Sequence, residues 1–324
     1  MKKVLFATTA LIATTGMAAA EVTFGGYGRF GLYFQENAAG VDETRIEQRF
    51  RLTITGQTTS DNGLEFEGRI RFQTDEAQGG AASVAKSSGA GFAVSSGGFR
   101  LDVGDVSNVL DSGDVVDYFG YGVGLTSFAE QANGFNNTAV GFGAKSSDFD
   151  TIAPTVKLRY SMGDFTVSAS ITDDAVTQSV SNAAVVTPGG GNGSYQIGAS
   201  YSFGNYAVGA VFGSTENVGP GGSDNDEWII GFTGDLGALG FSIIVGDTDN
   251  SVDSTAYGFS VKYDIGAATE IRFVYSNGDD NAAGKDDEYA IGFRHSLGGG
   301  VTLAGGIGDD QGTTKADLGV IFNF

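Results

Sequence analysis

From Val22 to Phe34 the chain changes character at every residue. Val22, Phe24, Gly26, Gly28, Phe30, Leu32 and Phe34 hold the even positions, and Thr23, Gly25, Tyr27, Arg29, Gly31, Tyr33 and Gln35 the odd ones. Side chains that swap faces every second residue mark a strand with one apolar face. In "TRIEQRFRLTITGQ", Ile46, Phe50, Leu52 and Ile54 oppose Arg45, Glu47, Arg49, Arg51 and Thr53. In "GLEFEGRIRFQT", Leu64, Phe66, Ile70 and Phe72 oppose Glu65, Glu67, Arg69, Arg71 and Gln73. Weaker versions run to the end, where Leu318, Val320, Phe322 and Phe324 share a face.

The same opening stretch contains Gly26, Gly28 and Gly31 at the G-x-G-x-x-G spacing of a dinucleotide loop. That motif needs a strand before it and a helix after it. Neither is predicted. Upstream lie Lys2 and Lys3, an apolar stretch from Val4 to about Thr15, and Ala18-Ala19-Ala20. These are the parts of a secretory signal peptide over residues 1–20, cut before Glu21. The apolar stretch is shorter than the roughly 20 residues that span a bilayer. The glycines are therefore expected to ease the twist and curvature of a closed sheet.

Removing twenty of 324 residues leaves 304, and the chain has no cysteine, which excludes a disulfide scaffold. Without Lys2 and Lys3 there are 16 basic against 39 acidic residues, a formal charge of about −23 that excludes nucleic acid as a partner. Fifty-three glycines with only three prolines fit sheet better than disorder, because proline cannot donate to a ladder.

About sixteen alternating segments are predicted, about nineteen residues apiece with their connections. Short connections fall near 58–62, 96–98, 162–164, 204–205, 235–238, 266–267 and 298–299. Longer ones fall near 37–43, 75–90, 106–154, 174–194, 214–226, 248–254, 278–286 and 310–314. Short turns on one side, long loops on the other and an even strand count describe an outer-membrane barrel. The expected fold is all-β: a closed antiparallel transmembrane β-barrel over residues 21–324. A soluble sandwich would also alternate. However, Arg and Glu beside small residues on the polar face suit a water-filled lumen better than an outer surface.

Three stretches carry a family likeness: "AEVTFGGYGRFGL", "FRLDVGDVSNVLDSGDVVDYFGYG" and the terminal "GVIFNF". With them the chain resembles the general diffusion porins of Gram-negative bacteria, above all those of photosynthetic α-proteobacteria such as Rhodobacter. The resemblance implies an integral outer-membrane homotrimer of sixteen-stranded barrels whose third long loop, here residues 106–154, folds in to narrow the pore. It also makes calcium possible at Asp105, Asp111 and Asp114. The "PEFGG" loop tip of enterobacterial porins is absent, so residue roles at that tip do not transfer.

Seven of ten arginines lie in the first hundred residues: Arg29, Arg45, Arg49, Arg51, Arg69, Arg71 and Arg100. Each takes the polar parity of its strand, and neighbouring strands of a meander are neighbours in space, so one basic wall is expected. The longest connection supplies Asp105, Asp111, Asp114 and Asp117, then Glu130, Asp148 and Asp150. A structureless loop this long calls for a function. Folded inward, it would set carboxylates against guanidiniums across a wet constriction, and charged constrictions set ion preference. Ions and small hydrophilic solutes would diffuse passively, with the acidic excess favouring cations. The acidic runs at 223–227 and 278–288 read as solvated surface, with bridging to lipopolysaccharide phosphates through divalent cations as the functional alternative, and tyrosines near strand ends, with Trp228, would sit at the lipid interfaces.

An outer-membrane enzyme is disfavoured. His295, the one histidine, has the apolar parity of its strand, and no G-x-S-x-G is present. A substrate-specific channel is the alternative kept open by Tyr118, Phe119, Tyr121 and Phe128 in the long loop. A closed barrel serving as adhesin or structural anchor is the other.

Overall fold

The computed structural model describes residues 20–36, 42–75, 85–136, 144–145, 151–152, 154–173, 178–179, 193–216, 224–249, 255–277 and 287–324. The proposed leader (apart from residue 20), Asp148, Asp150 and most of 278–288 lie outside them. Sixteen barrel strands follow in chain order: β1 Glu21–Gln35, β2 Glu43–Thr59, β3 Glu65–Asp75, β4 Gly91–Ser96 and β5 Phe99–Gly104. After the long connection come β6 Thr155–Met162, β7 Phe165–Thr172, β8 Ser194–Phe203, β9 Tyr206–Thr215, β10 Asn225–Leu236 and β11 Leu239–Thr248. The set ends with β12 Ala256–Asp264, β13 Thr269–Ser276, β14 Glu288–Gly298, β15 Val301–Asp310 and β16 Thr313–Asn323. A two-residue piece, Lys86–Ser87, extends the pairing of β3 above β4.

Each strand pairs antiparallel with its sequence neighbours, and β1 pairs with both β2 and β16, so the sheet closes. Closure is what lipid demands, because hydrocarbon offers no partner to an edge of free N–H and C=O groups. The seam extends to the last residue, where the Phe324 and Gly26 backbones bond reciprocally at 3.1 and 2.9 Å.

Parity falls as the alternation predicts. Phe24, Phe30, Leu32, Ile46, Phe50 and Phe72 are exposed on the outer surface. Two strand-end aromatics, Phe99 and Tyr160, stack outside at 4.2 Å, and Tyr201, Tyr257, Tyr263, Tyr289 and Trp228 are also exposed there. Gly26 and Gly28 leave room for the chain's own rings. A Cβ at Gly28 would lie 2.3 Å from the Phe322 ring, and one at Gly26 3.0 Å from that of Phe324.

One connection differs from expectation. The stretch around 310–314 is a two-residue turn, Gln311-Gly312, with φ of 55° and 78°. Two successive left-handed residues make the tight turn whose twist matches a hairpin, so no long loop forms there.

Charge on the lipid face provides a test. Ile243→Arg, at the middle of β11, is expected to destabilise the barrel by about 2–4 kcal/mol in a reversible urea titration in lipid, whereas Ile243→Val stays within about 1.5 kcal/mol. Equal stability of the two variants would mean that Ile243 does not face hydrocarbon.

Candidate functional site: the lumen and the inward loop

After β5 the chain turns across the inner surface. Asn108 caps α1 (Val109–Ser112) by accepting the Asp111 N–H at 3.1 Å, and Gly113 ends it at φ 68°. A second short helix, α2, covers Asn133–Asn136. Between them, Val109, Leu110, Val115, Val116, Tyr118, Ala132 and Phe135 pack on Val211, Ile229, Ile244 and Ala256, which point inward from β9–β12. A smaller group joins Val123 and Ala129 to Val274 of β13 and Ala290 of β14.

A segment without regular structure must find partners for its backbone elsewhere. Here the inner wall supplies them. Ser170 of β7 accepts the Val109 N–H at 3.2 Å, and Gln196 of β8 accepts that of Leu110 at 3.0 Å. Ser260 of β12 accepts the Tyr121 N–H at 2.9 Å and donates to Gln131 Oε1 at 2.9 Å. Asp317 of β16 takes the N–H groups of Leu125 and Thr126 at 2.8 and 2.9 Å. Glycine makes the approach possible: a Cβ at Gly209 would lie 1.7 Å from the Val115 carbonyl oxygen, and one at Gly258 2.0 Å from that of Gln131.

The arginines line the inner faces of β1–β3 beside the loop. Arg29 stands directly across from Arg49, Tyr27 from Arg51, Thr53 from Arg71 and Thr55 from Arg69. Like charges so close need counter-charges or water. Arg29 pairs with Glu47 at 2.8 Å and Arg49 with Asp75, while Arg51 donates to Gln73. Arg45 lies over the Tyr33 ring at 4.1 Å with Glu43 3.6 Å away. Arg100 pairs with Glu67 at 3.3 Å and Asp102 at 2.9 Å.

The loop carboxylates are not one opposing row. Asp111 is half-buried and, with Asp105, lies within Coulombic reach of Arg71. Asp117 is exposed and accepts the Gly120 N–H at 3.1 Å. Asp114 is captured by β6, taking bonds from Lys157 at 2.8 Å and Arg159 at 2.9 Å. Burial works against its ionisation, but these two cations outweigh it and hold the carboxyl below its usual range. Asp105 is buried beside Lys145 at 3.6 Å. Glu130 turns towards the wall near Arg294. Burial pushes its carboxyl up to about 7, Arg294 opposes this, and Asp111 and Asp117 add to it. Among the described residues no group of three or more His, Asp or Glu is placed to hold a metal ion, and Asp105, Asp111 and Asp114 are not brought together for calcium.

Sequence reasoning missed Lys157 and Arg159, and also Lys262 and Arg272, which flank the Tyr121 ring at 5.5 and 5.9 Å. It also missed the loop's seat. Its signal is the pair of adjacent isoleucines in "EWIIGF" and "FSIIVG", where apolar residues fall on both parities. Where the loop packs, the inner parity of β9–β12 offers Gly209, Val211, Ile229, Ile244 and Gly258, with Glu227, Lys262, Arg272, Glu288 and Arg294 also facing inward on β10–β14, whereas that of β1–β3 carries Arg29, Arg49, Arg51, Arg69 and Arg71.

A closed sheet with an apolar exterior and a charged, wet interior is a membrane channel built from strands. The Gram-negative porin family matches residues 7–315, and the chain belongs to it. It is 29% identical to the porin of Fuscovulum blasticum and 26% identical to that of Rhodobacter capsulatus, each match covering 94% of this chain and 100% of the relative. A triple mutant of the Rhodopseudomonas blastica porin superposes with a TM-score of 0.73 at 25% identity, over 94% of this chain and 100% of that one. A second mutant of that porin gives 0.73 at 26% with the same coverage. The protein is a passive diffusion channel integral to the outer membrane, not an enzyme.

The seat of the loop is testable at one residue. Gly258→Val places a methyl-bearing carbon against the Gln131 carbonyl, an overpacking that costs about 1–3 kcal/mol unless the loop lifts away. Lower thermal stability with a changed single-channel conductance is the expected result; an unaltered conductance would mean that the loop does not bound the conducting path.

Proposed function

We propose that ions and small hydrophilic solutes cross between the guanidiniums of β1–β3 and the loop, which acts as the constriction of the pore. The observation that carries this is a division of the inner surface. Residues of β7–β14, mostly small or apolar but including Arg272 and Glu288, hold the loop, and the arginines of β1–β3 line the remaining inner face. Asp111 and Asp117 then lie across the passage from Arg29, Arg49, Arg51, Arg69 and Arg71. The transverse field between the two sets aligns polar solutes, while apolar ones must displace oriented water. Carboxylates at the long-loop mouth concentrate cations there, an effect confined to about one Debye length of roughly 10 Å at 0.1 M salt. Cation preference therefore weakens as salt rises.

The chain works as a homotrimer surrounded by outer-membrane lipid and lipopolysaccharide, a reading that follows from the family. A secretory leader over residues 1–20 accounts for its export. General diffusion is favoured over a substrate-specific channel because Tyr118 is buried between the loop and the wall, Phe119 and Phe128 pack against the two apolar clusters and Tyr121 lies between Lys262 and Arg272, so these rings do not form an open aromatic track.

Reversal potentials in planar bilayers test the field. A unit charge 4–8 Å away in water is worth about 0.5–1 kcal/mol, or a two- to fivefold change in local ion concentration. Arg51→Gln with Arg71→Gln is expected to shift permeability towards potassium by about that factor, and Asp111→Asn with Asp117→Asn towards chloride. Identical ratios in both variants would contradict the proposed constriction.

A further inference from the structure

On the short-turn side of the loop, a cleft of about 240 Å³ lies between the first loop residues and the inner faces of β3, β5 and β6. Its charged lining is Arg69, Arg100, Lys157 and Arg159 against Glu67, Asp102 and Asp114. The two signs are not equally presented. The carboxylates are withdrawn, with side-chain exposures of 7% for Asp114, 12% for Asp102 and 21% for Glu67. The two guanidiniums stand further forward, at 29% for Arg100 and 39% for Arg159, while Lys157 is withdrawn at 8%.

The carboxylates are also already engaged. Asp114 is held by Lys157 and Arg159, and Glu67 and Asp102 are both bonded to Arg100. Arg69, in the middle of β3, has no ion-pair partner among the described residues. Four cations thus face three acids, so the cleft carries one surplus positive charge, and the edges most open to a solute are those of Arg100 and Arg159. The planar donor fork of arginine matches a carboxylate or phosphate, and such pairs are stronger than neutral hydrogen bonds. Within a pore whose long-loop mouth is acidic, this is a local reversal of sign.

We propose that the cleft is a transit subsite for small oxyanions, carboxylates or phosphates, holding the anionic end of a solute against Arg69 and Arg159 on the periplasmic side of the loop. The proposal rests on the channel reading and adds a solute class to it. No bond is made or broken; the subsite only raises the residence of oxyanions relative to chloride.

Inorganic phosphate is the probe. The native protein, inserted with known sidedness in a planar bilayer at fixed potassium chloride, is titrated with potassium phosphate from either side, with chloride of equal ionic strength as reference. The expected result is a saturable fall in conductance, reached at lower phosphate from the short-turn side. Arg69→Gln with Arg159→Gln is expected to raise the half-blocking concentration at least fivefold. Conducting native protein with no saturable phosphate effect overturns the subsite and leaves the channel reading standing, and so does a folded double variant with an unchanged half-blocking concentration. Native protein that does not conduct in potassium chloride overturns the channel reading itself. The native titration decides the matter even where the double variant fails to fold.

Discussion

In hydrocarbon a peptide group can bond only to another peptide group, and every other feature of this chain follows from that constraint. The requirement closes the sheet, so that the last strand pairs with the first from Lys315 through Asn323 and no edge remains. Closure with a two-residue side-chain repeat then assigns each residue to lipid or water. Phe30 and Leu32 face out while Arg29 and Tyr33 face in, with no local choice left to any of them. The seam is tightened where Gly28 gives way to the Phe322 ring, so the aromatic terminus takes part in the closure.

A barrel of sixteen strands leaves a lumen too wide to be filled by its own side chains, and a loop occupies part of it. The loop lies where it does because the wall beneath it reproduces what a protein interior supplies. Ser170, Gln196, Ser260 and Asp317 satisfy its N–H groups, Ile229 and Ile244 receive its apolar side chains, and Gly209 and Gly258 admit its backbone. The inner faces of β1–β3 carry Arg29, Arg49, Arg51, Arg69 and Arg71 instead, and the loop reaches that side at Leu125, which lies against Gly31.

The strands and their facing were legible in the sequence because alternation is a local signal: parity alone places Arg29, Arg49, Arg51, Arg69, Arg71 and Arg100 in the lumen. The fate of the carboxylates was not. Asp114 lies 43 residues from Lys157, and Leu125 lies 192 residues from the Asp317 that takes its N–H. No spacing rule encodes such contacts. Asp111, Asp114, Asp117 and Glu130 read alike as acids of one loop, yet Asp114 is bound by β6, Glu130 is turned to the wall, Asp117 is open to water and Asp111 lies half-buried near Arg71. The final turn was misjudged for another reason: a Gly beside polar residues looks like any loop, and only the left-handed pair Gln311-Gly312 makes it tight.

The absence of cysteine allows the central claim to be read residue by residue. Single cysteines at Thr53, Ile54, Thr55 and, in the same strand, Leu52 would be exposed to a charged, membrane-impermeant thiol reagent in intact vesicles. The account predicts labelling at positions 53 and 55 and protection at 52 and 54. Labelling of the even positions, or of all four alike, would contradict a closed barrel with lipid outside and water within.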